Sequence, residues 1–416
     1  MKKTIKDHDV TGRRVLVRVD FDVPVENGIV TNAARIHAAL PTIKYLIERQ
    51  ARVILLTHLG NPEGSVVESL RVDPIASTLA DLLRMPVAKA NNCIGPEVHD
   101  IVKTMTPGQV LLLENVRFHP GEMVNDQRFA ARLASFTDLF VNDAFGAAHW
   151  SHASTTGVAR FLPSAAGLLM EHELEGIQRL RSEIRPPVVV LLGGNRLVDK
   201  AQFMEYGLRR GWAFLLGGSL ANTFLRAAGK PVGQSTVEME GFGLARSLLE
   251  EYSRQIHLPV DLVIAQALSA FAITRIAPAE SIPVDWCIYD IGPETIDRYS
   301  RVLDAAGTVI WNGPAGAVEF PAFSNGTVQM ASKIAGLEDA YTIAGGADTV
   351  AALDKTGHSS KIKYLSTGGA AFLDALQGKP LPGVEAIEDR KTGEPLTAST
   401  SPPLQSDPAA KAREKP

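Results

Sequence analysis

Residues 186–194 read PPVVVLLGG, a short apolar run that ends in two glycines. An apolar run of this length, bounded by turn residues, is typical of a parallel strand buried on both faces of a sheet. Glycine follows an apolar run again in WAFLLGG (212–218), TVIWNGP (308–314) and YTIAGG (341–346), and PVDLVIA (259–265) adds a further run. The second half of the chain is therefore predicted to form a parallel sheet.

The first half has the same organisation. A helical spacing of apolar residues in RIHAALPTIKYLIERQ (35–50) separates the first two of its strand-like runs. Short apolar strands that alternate with helices indicate parallel sheets covered by helices on both faces. The predicted fold class is α/β, with two doubly wound, Rossmann-like domains. The four strand-like runs are RRVLVRVDF (13–21), ARVILLTHL (51–59), QVLLLEN (109–115) and TDLFVNDAF (137–145).

The length of 416 residues also indicates two domains, because it exceeds what one hydrophobic core usually serves. An amphipathic pattern ends at two prolines and predicts a connecting helix over 166–186. We therefore expect an N-terminal domain over 1–165 and a C-terminal domain over 187–370. Residues 391–416 are rich in proline, serine, threonine and charge, which predicts a flexible tail.

The composition excludes several classes of protein. Hydrophobic residues make up 45% and charged residues 21%, as in an ordinary globular protein, and the net charge of −4 does not support a nucleic-acid binder. No apolar run reaches the ~18 residues typical of a membrane span. The two cysteines lack metal-site spacing, and the start MKKTIKDHDVTGRR lacks the apolar core of a secretory signal. We expect a cytoplasmic monomer without membrane or nucleic-acid partners.

Glycine at successive strand ends predicts a nucleotide site. Ligands of open parallel sheets bind beyond the carboxyl ends of the strands, where glycine lets the backbone approach them. The chain contains neither GxxxxGK[ST] nor a clear GxGxxG with a ribose-binding acid, so a P-loop and a dinucleotide fold are not expected. The glycines in question are Gly193, Gly194, Gly217, Gly218, Gly313, Gly316, Gly345, Gly346, Gly368 and Gly369.

Two polar residues stand among these glycines. Asp348 follows AGGA and could hold Mg²⁺, although aspartate at this place is also a common helix N-cap. Lys200 follows GGNRLVD, from where its ammonium could reach phosphates, and a solvated surface lysine is the alternative.

The first half offers a contrasting set of residues at its strand ends. Asp20, Asp22, His58 and Arg117 follow strands, and Arg35 opens the first helix. A basic cluster that faces a glycine-rich nucleotide site suggests phosphoryl transfer between two substrates. Catalysis of this reaction depends mainly on positioning and on charge stabilisation. For each of these residues alone, a structural role is equally compatible with the sequence.

Together these motifs resemble the phosphoglycerate kinase family. The resemblance extends to about Glu388 and implies two doubly wound domains joined by a helix and hinge, with 371–390 returning to the first domain. It further implies phosphoryl transfer between ATP and a carboxylate, with Mg²⁺. The motifs are RVDFDVP, ARIHAALPTIKYL, THLGNPEG, LLLENVRFHPGE, VNDAFGAAHWSHAST, DIGPET, VIWNGPAGAVE, AGGADT and STGGAAFL.

The resemblance also implies roles for individual residues. Arg35 and Lys200 resemble the family's charge-stabilising arginine and phosphate-binding lysine, and Gly368 and Gly369 lie where the transferring group is supported. Asp348 resembles a magnesium and phosphate contact. The implied ATP/ADP contacts are Asn312, Pro314, Glu319, Ala347 and Thr349, and the implied acceptor contacts are Asp20, His58 and Arg117.

Several positions depart from the family pattern. In the acceptor site, Asp22 replaces an asparagine, and Asn61 and Trp150 replace arginines that grip a phosphate in the family. On the nucleotide side, Arg196 replaces a lysine and keeps the charge. Charge-assisted contacts contribute about 1.5–3 kcal/mol each, so the loss of two arginines weakens the phosphate grip.

Three interpretations remain open. The favoured one is an ATP-dependent carboxylate kinase whose acceptor is not 3-phosphoglycerate, because Arg35, Lys200 and Asp348 are all present. The second is an ordinary phosphoglycerate kinase, and the third is a nucleotide-binding homologue without catalysis. For Trp150 the choice lies between an apolar wall of the acceptor site and simple packing.

Overall fold

Two six-stranded parallel sheets form the frame of the protein. The computed structural model describes residues 1–390, and the predicted flexible tail, 391–416, lies outside them. Each sheet has helices on both of its faces, so the predicted fold class is confirmed. Among residues 1–390 no helix has the length and apolar character that a membrane span requires.

The first sheet has the strand order β5-β6-β4-β1-β7-β8, and every pairing in it is parallel. A hairpin with an Asn27–Gly28 turn, in which both residues have positive φ, lies outside this sheet. The strands of the first half are β1 (Arg14–Arg18), β2 (Val25–Glu26), β3 (Ile29–Val30), β4 (Arg52–Leu56), β5 (Val87–Lys89), β6 (Val110–Leu112), β7 (Leu139–Asn142) and β8 (Ser164–Ala166).

Alternate residues of the central strands pack into two separate cores. In β1, Val15 and Val17 belong to the core beneath the first two helices, and Leu16 belongs to the core on the opposite face. This alternation explains why the strand reads as continuously apolar. The helices are α1 (Ala34–Glu48) and α2 (Asp73–Leu83) on one face, and α3 (Pro96–Thr104) and α4 (Gln127–Ala134) on the other.

The second sheet has the order β11-β10-β9-β15-β16-β17 and is also parallel throughout. In its central strand, Val190 and Leu192 face one core, whereas Val189 and Leu191 face the other. The strands of this sheet are β9 (Val188–Leu192), β10 (Ala213–Leu216), β11 (Ile256–His257), β15 (Thr308–Asn312), β16 (Tyr341–Gly345) and β17 (Tyr364–Ser366).

Helices connect these strands and continue beyond the last of them. One long helix, α5 (Leu168–Glu183), lies between the two sheets in sequence. The others are α6 (Ala201–Leu208), α7 (Gly218–Ala227), α8 (Phe242–Tyr252), α9 (Pro293–Asp304), α10 (Asn325–Ala335), α11 (Ala347–Lys355), α12 (Ala370–Leu376) and α13 (Pro382–Glu385).

The prediction that PVDLVIA joins the parallel sheet was wrong. This segment forms β12 (Asp261–Ala265), the central strand of a separate antiparallel sheet with β13 (Arg275–Pro278) and β14 (Cys287–Ile291). Leu262 and Ile264 pack in a small core of their own. An apolar run identifies a buried strand, but it does not specify the direction of the neighbouring strands.

Two buried carboxylates attach α5 to the two sheets. Asp143, just after β7, accepts hydrogen bonds from the backbone N–H groups of Leu169 and Met170 at 3.0 and 3.1 Å, at the start of α5. Glu173, within α5, accepts from Tyr364 Oη at 2.6 Å and from Thr367 N at 2.7 Å, at the end of the second sheet. The helix therefore has a polar anchor in each half.

The end of the described chain lies against its beginning. Lys3 N donates to Glu388 O at 2.8 Å, and the Arg390 guanidinium donates to Asp7 Oδ2 at 2.6 Å. The chain therefore crosses between the halves twice, once through α5 and once after α12.

We predict that Glu173→Ala lowers the free energy of unfolding by about 2–4 kcal/mol, because it leaves the Tyr364 hydroxyl and the Thr367 N–H without their acceptor. Thermal and guanidinium unfolding measure this loss. Glu175→Ala in the same helix is the matched control, because Glu175 forms only an exposed pair with Arg179 at 3.5 Å. Equal effects of the two substitutions would contradict the assignment.

Candidate active site

The larger cavity lies where the strands of the second sheet end. It has a volume of about 1060 Å³ and is open towards the first half of the protein. Of the ten predicted glycines, those that line it are Gly194, Gly218, Gly313, Gly316, Gly346 and Gly369.

At two of these positions the backbone conformation requires glycine. Gly218 has φ +60°, and a Cβ there would lie 2.6 Å from Gly194 N. Gly346 has φ +99° directly before α11. A side chain at either position would strain the backbone that forms the cavity.

Three of the remaining glycines lie behind the cavity wall. A Cβ at Gly217 would approach Ala315 Cα to 2.8 Å, and one at Gly345 would approach the Phe372 ring to 2.5 Å. Gly193 packs against the Pro314 carbonyl in the same way. These glycines permit close packing against the loop after β15 and against α12, behind the cavity wall.

Lys200 lies at the inner end of this cavity, just before α6. Its ammonium donates a hydrogen bond to the Gly193 carbonyl oxygen. Burial lowers the pKa of Lys200 to about 8, although the neighbouring carboxylates of Asp199, Asp348 and Glu238 oppose the shift. A ligand with phosphate groups would restore the charge that burial disfavours.

The side chains of Asn312 and Thr349 fix the far wall of the cavity. Asn312 Nδ2 donates to Gly345 O, and Thr349 Oγ1 accepts from Gly313 N, both at 2.8 Å. These bonds connect the end of β15 to the end of β16 and to α11. The predicted contacts Pro314, Glu319 and Ala347 line the same cavity.

Asp348 lies in the first turn of α11, exposed to the cavity. Within residues 1–390 no three His, Cys, Asp or Glu side chains are grouped to hold a metal. A magnesium ion at Asp348 would therefore take its other oxygen ligands from nucleotide phosphates and water, as Mg²⁺ commonly does. The donor set fits that ion.

A second cavity of about 630 Å³ lies between the two halves. Residues of both halves line it, and Arg35 and Arg196 line this cavity as well as the larger one. The predicted residues that line only the second cavity are Asp20, Asp22, His58, Trp150 and Gly368.

Arg35 lies in the first turn of α1, at the junction of the two cavities. Its guanidinium contacts both carboxylate oxygens of Asp20, at 3.1 and 3.2 Å. The charge of Asp20 raises the pKa of Arg35 further. Arg35 Nε is buried without a hydrogen-bond partner.

A buried network holds His58 in one tautomer. Arg18, fully buried in β1, donates to His58 Nδ1 at 3.1 Å and to Ser154 Oγ at 2.8 Å. Ser154 Oγ in turn donates to Glu122 at 2.6 Å. Burial and the nearby cations keep the pKa of His58 well below its usual range, so neutral His58 carries its proton on Nε2 towards Asp22 Oδ2, 3.7 Å away.

Trp150 covers Arg117. The Arg117 guanidinium carbon lies 4.8 Å from the centroid of the indole ring, and Arg117 Nη1 donates to Gly60 O at 2.8 Å. Trp150 also stacks on His152 at 5.3 Å. Arg117 therefore lies behind Trp150, and Asn61 is exposed and does not line the second cavity.

Sequence reasoning missed several residues of the site. Asp374 and Lys379, which pair at 2.7 Å, line the second cavity with Gln202. Asp374 directly follows the motif STGGAAFL within α12, and Gln202 and Lys379 are polar residues that sequence reasoning did not select. Arg18 could have been found, because a charged residue inside the apolar run VLVRV has to have buried partners.

Two parallel sheets, a glycine-lined cavity and a charged cleft with two arginines at the junction are typical of a two-domain phosphotransferase. A family model described as phosphoglycerate kinase matches residues 5–379. The chain belongs to the phosphoglycerate kinase family.

Individual relatives agree with the family model. The phosphoglycerate kinase of Moorella thermoacetica is 47% identical over 392 residues, which are 94% of this chain and 100% of that protein. The phosphoglycerate kinase of Thermomicrobium roseum is 48% identical over 389 residues, covering 92% of this chain and 99% of that protein. The predicted transferase and kinase class is confirmed.

Two solved structures share the fold over almost the whole chain. The phosphoglycerate kinase of Coxiella burnetii has a TM-score of 0.70 at 37% identity and covers 93% of this chain and 98% of that one. The phosphoglycerate kinase of Pyrococcus horikoshii has a TM-score of 0.82 at 31% identity and covers 92% and 98%.

We predict that nucleotide binding takes up a proton above pH 8. Nucleotide phosphates favour charged Lys200, whose pKa of about 8 in the free protein lies below its usual range. Affinity should be constant below pH 8 and fall as pH rises above it, by about tenfold per unit at most. Calorimetry of ADP binding at pH 8.5, in two buffers of different ionisation enthalpy, measures the uptake. Lys200→Met should abolish the uptake, whereas Lys333→Met, a control outside both cavities whose ammonium pairs with Asp304, should keep it.

We predict that Asp348→Ala weakens MgADP binding by about tenfold or more, since charge-assisted contacts contribute about 1.5–3 kcal/mol. In EDTA the variant and the parent should differ little. Asp354→Ala at the other end of α11 is the control. Unchanged magnesium dependence in Asp348→Ala would remove this residue from the metal site.

Proposed function

We propose that the protein transfers the γ-phosphoryl group of MgATP to a carboxylate and forms an acyl phosphate. The observation that carries this proposal is the position of Arg35, which lines both the glycine-rich cavity and the cavity between the halves. A phosphoryl group that moves from one cavity to the other would pass its guanidinium.

The chemistry needs no general base. An ionised carboxylate oxygen forms the new bond to phosphorus while the bond between phosphorus and the ADP oxygen breaks, so no proton has to leave the acceptor. The neutral state of His58 is compatible with this step. Catalysis would depend on positioning and on charge stabilisation by Arg35 and Lys200, with Gly368 and Gly369 beside the transferring group.

Magnesium, when bound, would neutralise charge on the nucleotide phosphates. Asp348 is the residue placed to hold it, and the exposure of Asp348 to the larger cavity supports this role. Glu319 at the rim and Asn312 and Pro314 in the wall are the proposed nucleotide contacts.

The relatives support 3-phosphoglycerate as the acceptor. Phosphoglycerate kinases at 47% and 48% identity cover almost the whole chain, and this favours the ordinary activity over the altered acceptor that the sequence analysis favoured. A second candidate is a carboxylate without a phosphate. The arrangement of Trp150 over Arg117 favours it, because the indole lines the cavity between the halves and Arg117 does not.

A binding protein without catalysis has less support. Arg35, Lys200 and Asp348 line one continuous pair of cavities, and loss of catalysis would not require that arrangement to persist. The cytoplasmic location and the monomeric state stay predictions.

Hydroxylamine trapping tests the proposed reaction. With MgATP and 3-phosphoglycerate, or another accepted carboxylate, we expect a hydroxamate to form in step with ADP. Arg35→Ala should lower kcat by about 100-fold or more, with a smaller change in the KM for ATP, because it removes transition-state stabilisation. Arg13→Ala, an exposed arginine of the same half, is the control. ADP formation with a product that resists hydroxylamine would refute the formation of an acyl phosphate.

A further inference from the structure

Exposed apolar side chains are concentrated on the small antiparallel sheet and its loops. Residues 266–274 connect β12 to β13, and Phe271 in this loop is 96% exposed. Single exposed apolar residues are common on protein surfaces, whereas a group of them marks a surface that another molecule covers. The group consists of Leu268, Phe271, Ile273, Ile276 and Val284.

The hydrogen bonds of the loop 266–274 are local. Phe271 N donates to Ser269 Oγ at 3.2 Å, and Gln266 Nε2 donates to Asp285 Oδ2 at 3.0 Å. Among the described residues, none of the apolar side chains of this loop belongs to a hydrophobic core. A change in the position of the loop would therefore cost little packing.

One residue of this loop already lines the larger cavity. Leu268 lines it together with Ile288 and Tyr289 of β14, so the antiparallel sheet forms one end of the cavity. The described residues of this sheet that line the cavity include no lysine or arginine. Lys200 and Asp348, in contrast, follow strands of the parallel sheet. The phosphates of a nucleotide suit the parallel-sheet end, and its flat, weakly polar base suits the antiparallel-sheet end.

We propose that Phe271 is a further nucleotide contact, brought to the base when the loop 266–274 folds over the larger cavity. Phe271 follows Leu268 by three residues, and Leu268 is already at the cavity. Closure would remove the Phe271 ring and the open face of the base from water, and two aromatic rings favour offset stacking. This inference rests on the proposed binding of nucleotide in the larger cavity and adds a residue to that site.

Phe271→Ala tests the contact in solution. Calorimetry should give a Kd for MgADP about tenfold higher than that of the parent, because the stacking contact with the base is lost. The Kd for magnesium tripolyphosphate, which has no base, should change by less than about twofold. Ile276→Ala removes an exposed apolar side chain of the same sheet, outside both cavities, and should leave both Kd values unchanged.

The movement of the loop has two signatures of its own. Amide hydrogen exchange over residues 267–274 of the parent should slow when MgADP binds, because the loop becomes ordered against the base. In Phe271→Trp, MgADP should shift the emission of the added indole to shorter wavelength, after subtraction of the parent's emission, because the ring leaves water.

The outcomes separate the inference from the function on which it rests. If Phe271→Ala leaves the Kd for MgADP unchanged, or raises that for tripolyphosphate equally, the inference falls and the proposed function stands. If Phe271→Ala instead dissociates a dimer of the parent in sedimentation, without a change in MgADP affinity, a second copy of the chain covers the loop and the inference also falls. If tripolyphosphate binds too weakly for calorimetry, the exchange and emission measurements decide. If the parent does not bind MgADP, the proposed function falls and the inference falls with it.

Discussion

The relation between the two halves depends on two carboxylates at the start of α5. Asp143 fixes the N-terminus of this helix to the first sheet, and Glu173 fixes its next turn to the loop after the second sheet. Burial raises the pKa of both groups, that of Asp143 to about 6. Each carboxylate accepts hydrogen bonds from N–H or O–H groups that would otherwise be buried without partners. The loop that Glu173 holds leads directly into Gly368 and Gly369, so this anchor also positions the floor of the cleft.

With the sheets held in this way, the Arg35 guanidinium of the first half lines both cavities, as does that of Arg196 from the second half. Arg35 is paired with Asp20 on the acceptor side and retains an unpartnered Nε. The nucleotide side keeps the residue types that the family resemblance implies. Asn61 and Trp150, where the resemblance implies departures from the family pattern, both lie in loops beyond strand ends.

The sequence located the residues of the glycine-lined cavity better than those of the cavity between the halves. The glycines after β9, β10, β15 and β16 can be recognised in the sequence because each one is required by a positive φ or by a close contact at its own position. The direction of β12 is not a local property, and its apolar run was assigned to the wrong sheet. Arg18 pairs with His58, and Trp150 covers Arg117, although the two partners of each contact are far apart in sequence. Residue spacing does not predict contacts of this kind. The sequence identified the residue types around the cavity between the halves, but only the structure shows how their side chains are oriented.

The central claim is that Arg35 of the first half and Lys200 of the second act on the same phosphoryl group. The most direct measurement is a crystal structure with MgADP and tetrafluoroaluminate, a planar mimic of the transferring group. The account predicts that the fluoride ligands contact the Arg35 guanidinium on one side and the Lys200 ammonium on the other. An ion bound by Lys200 alone, with Arg35 still paired only to Asp20, would contradict it.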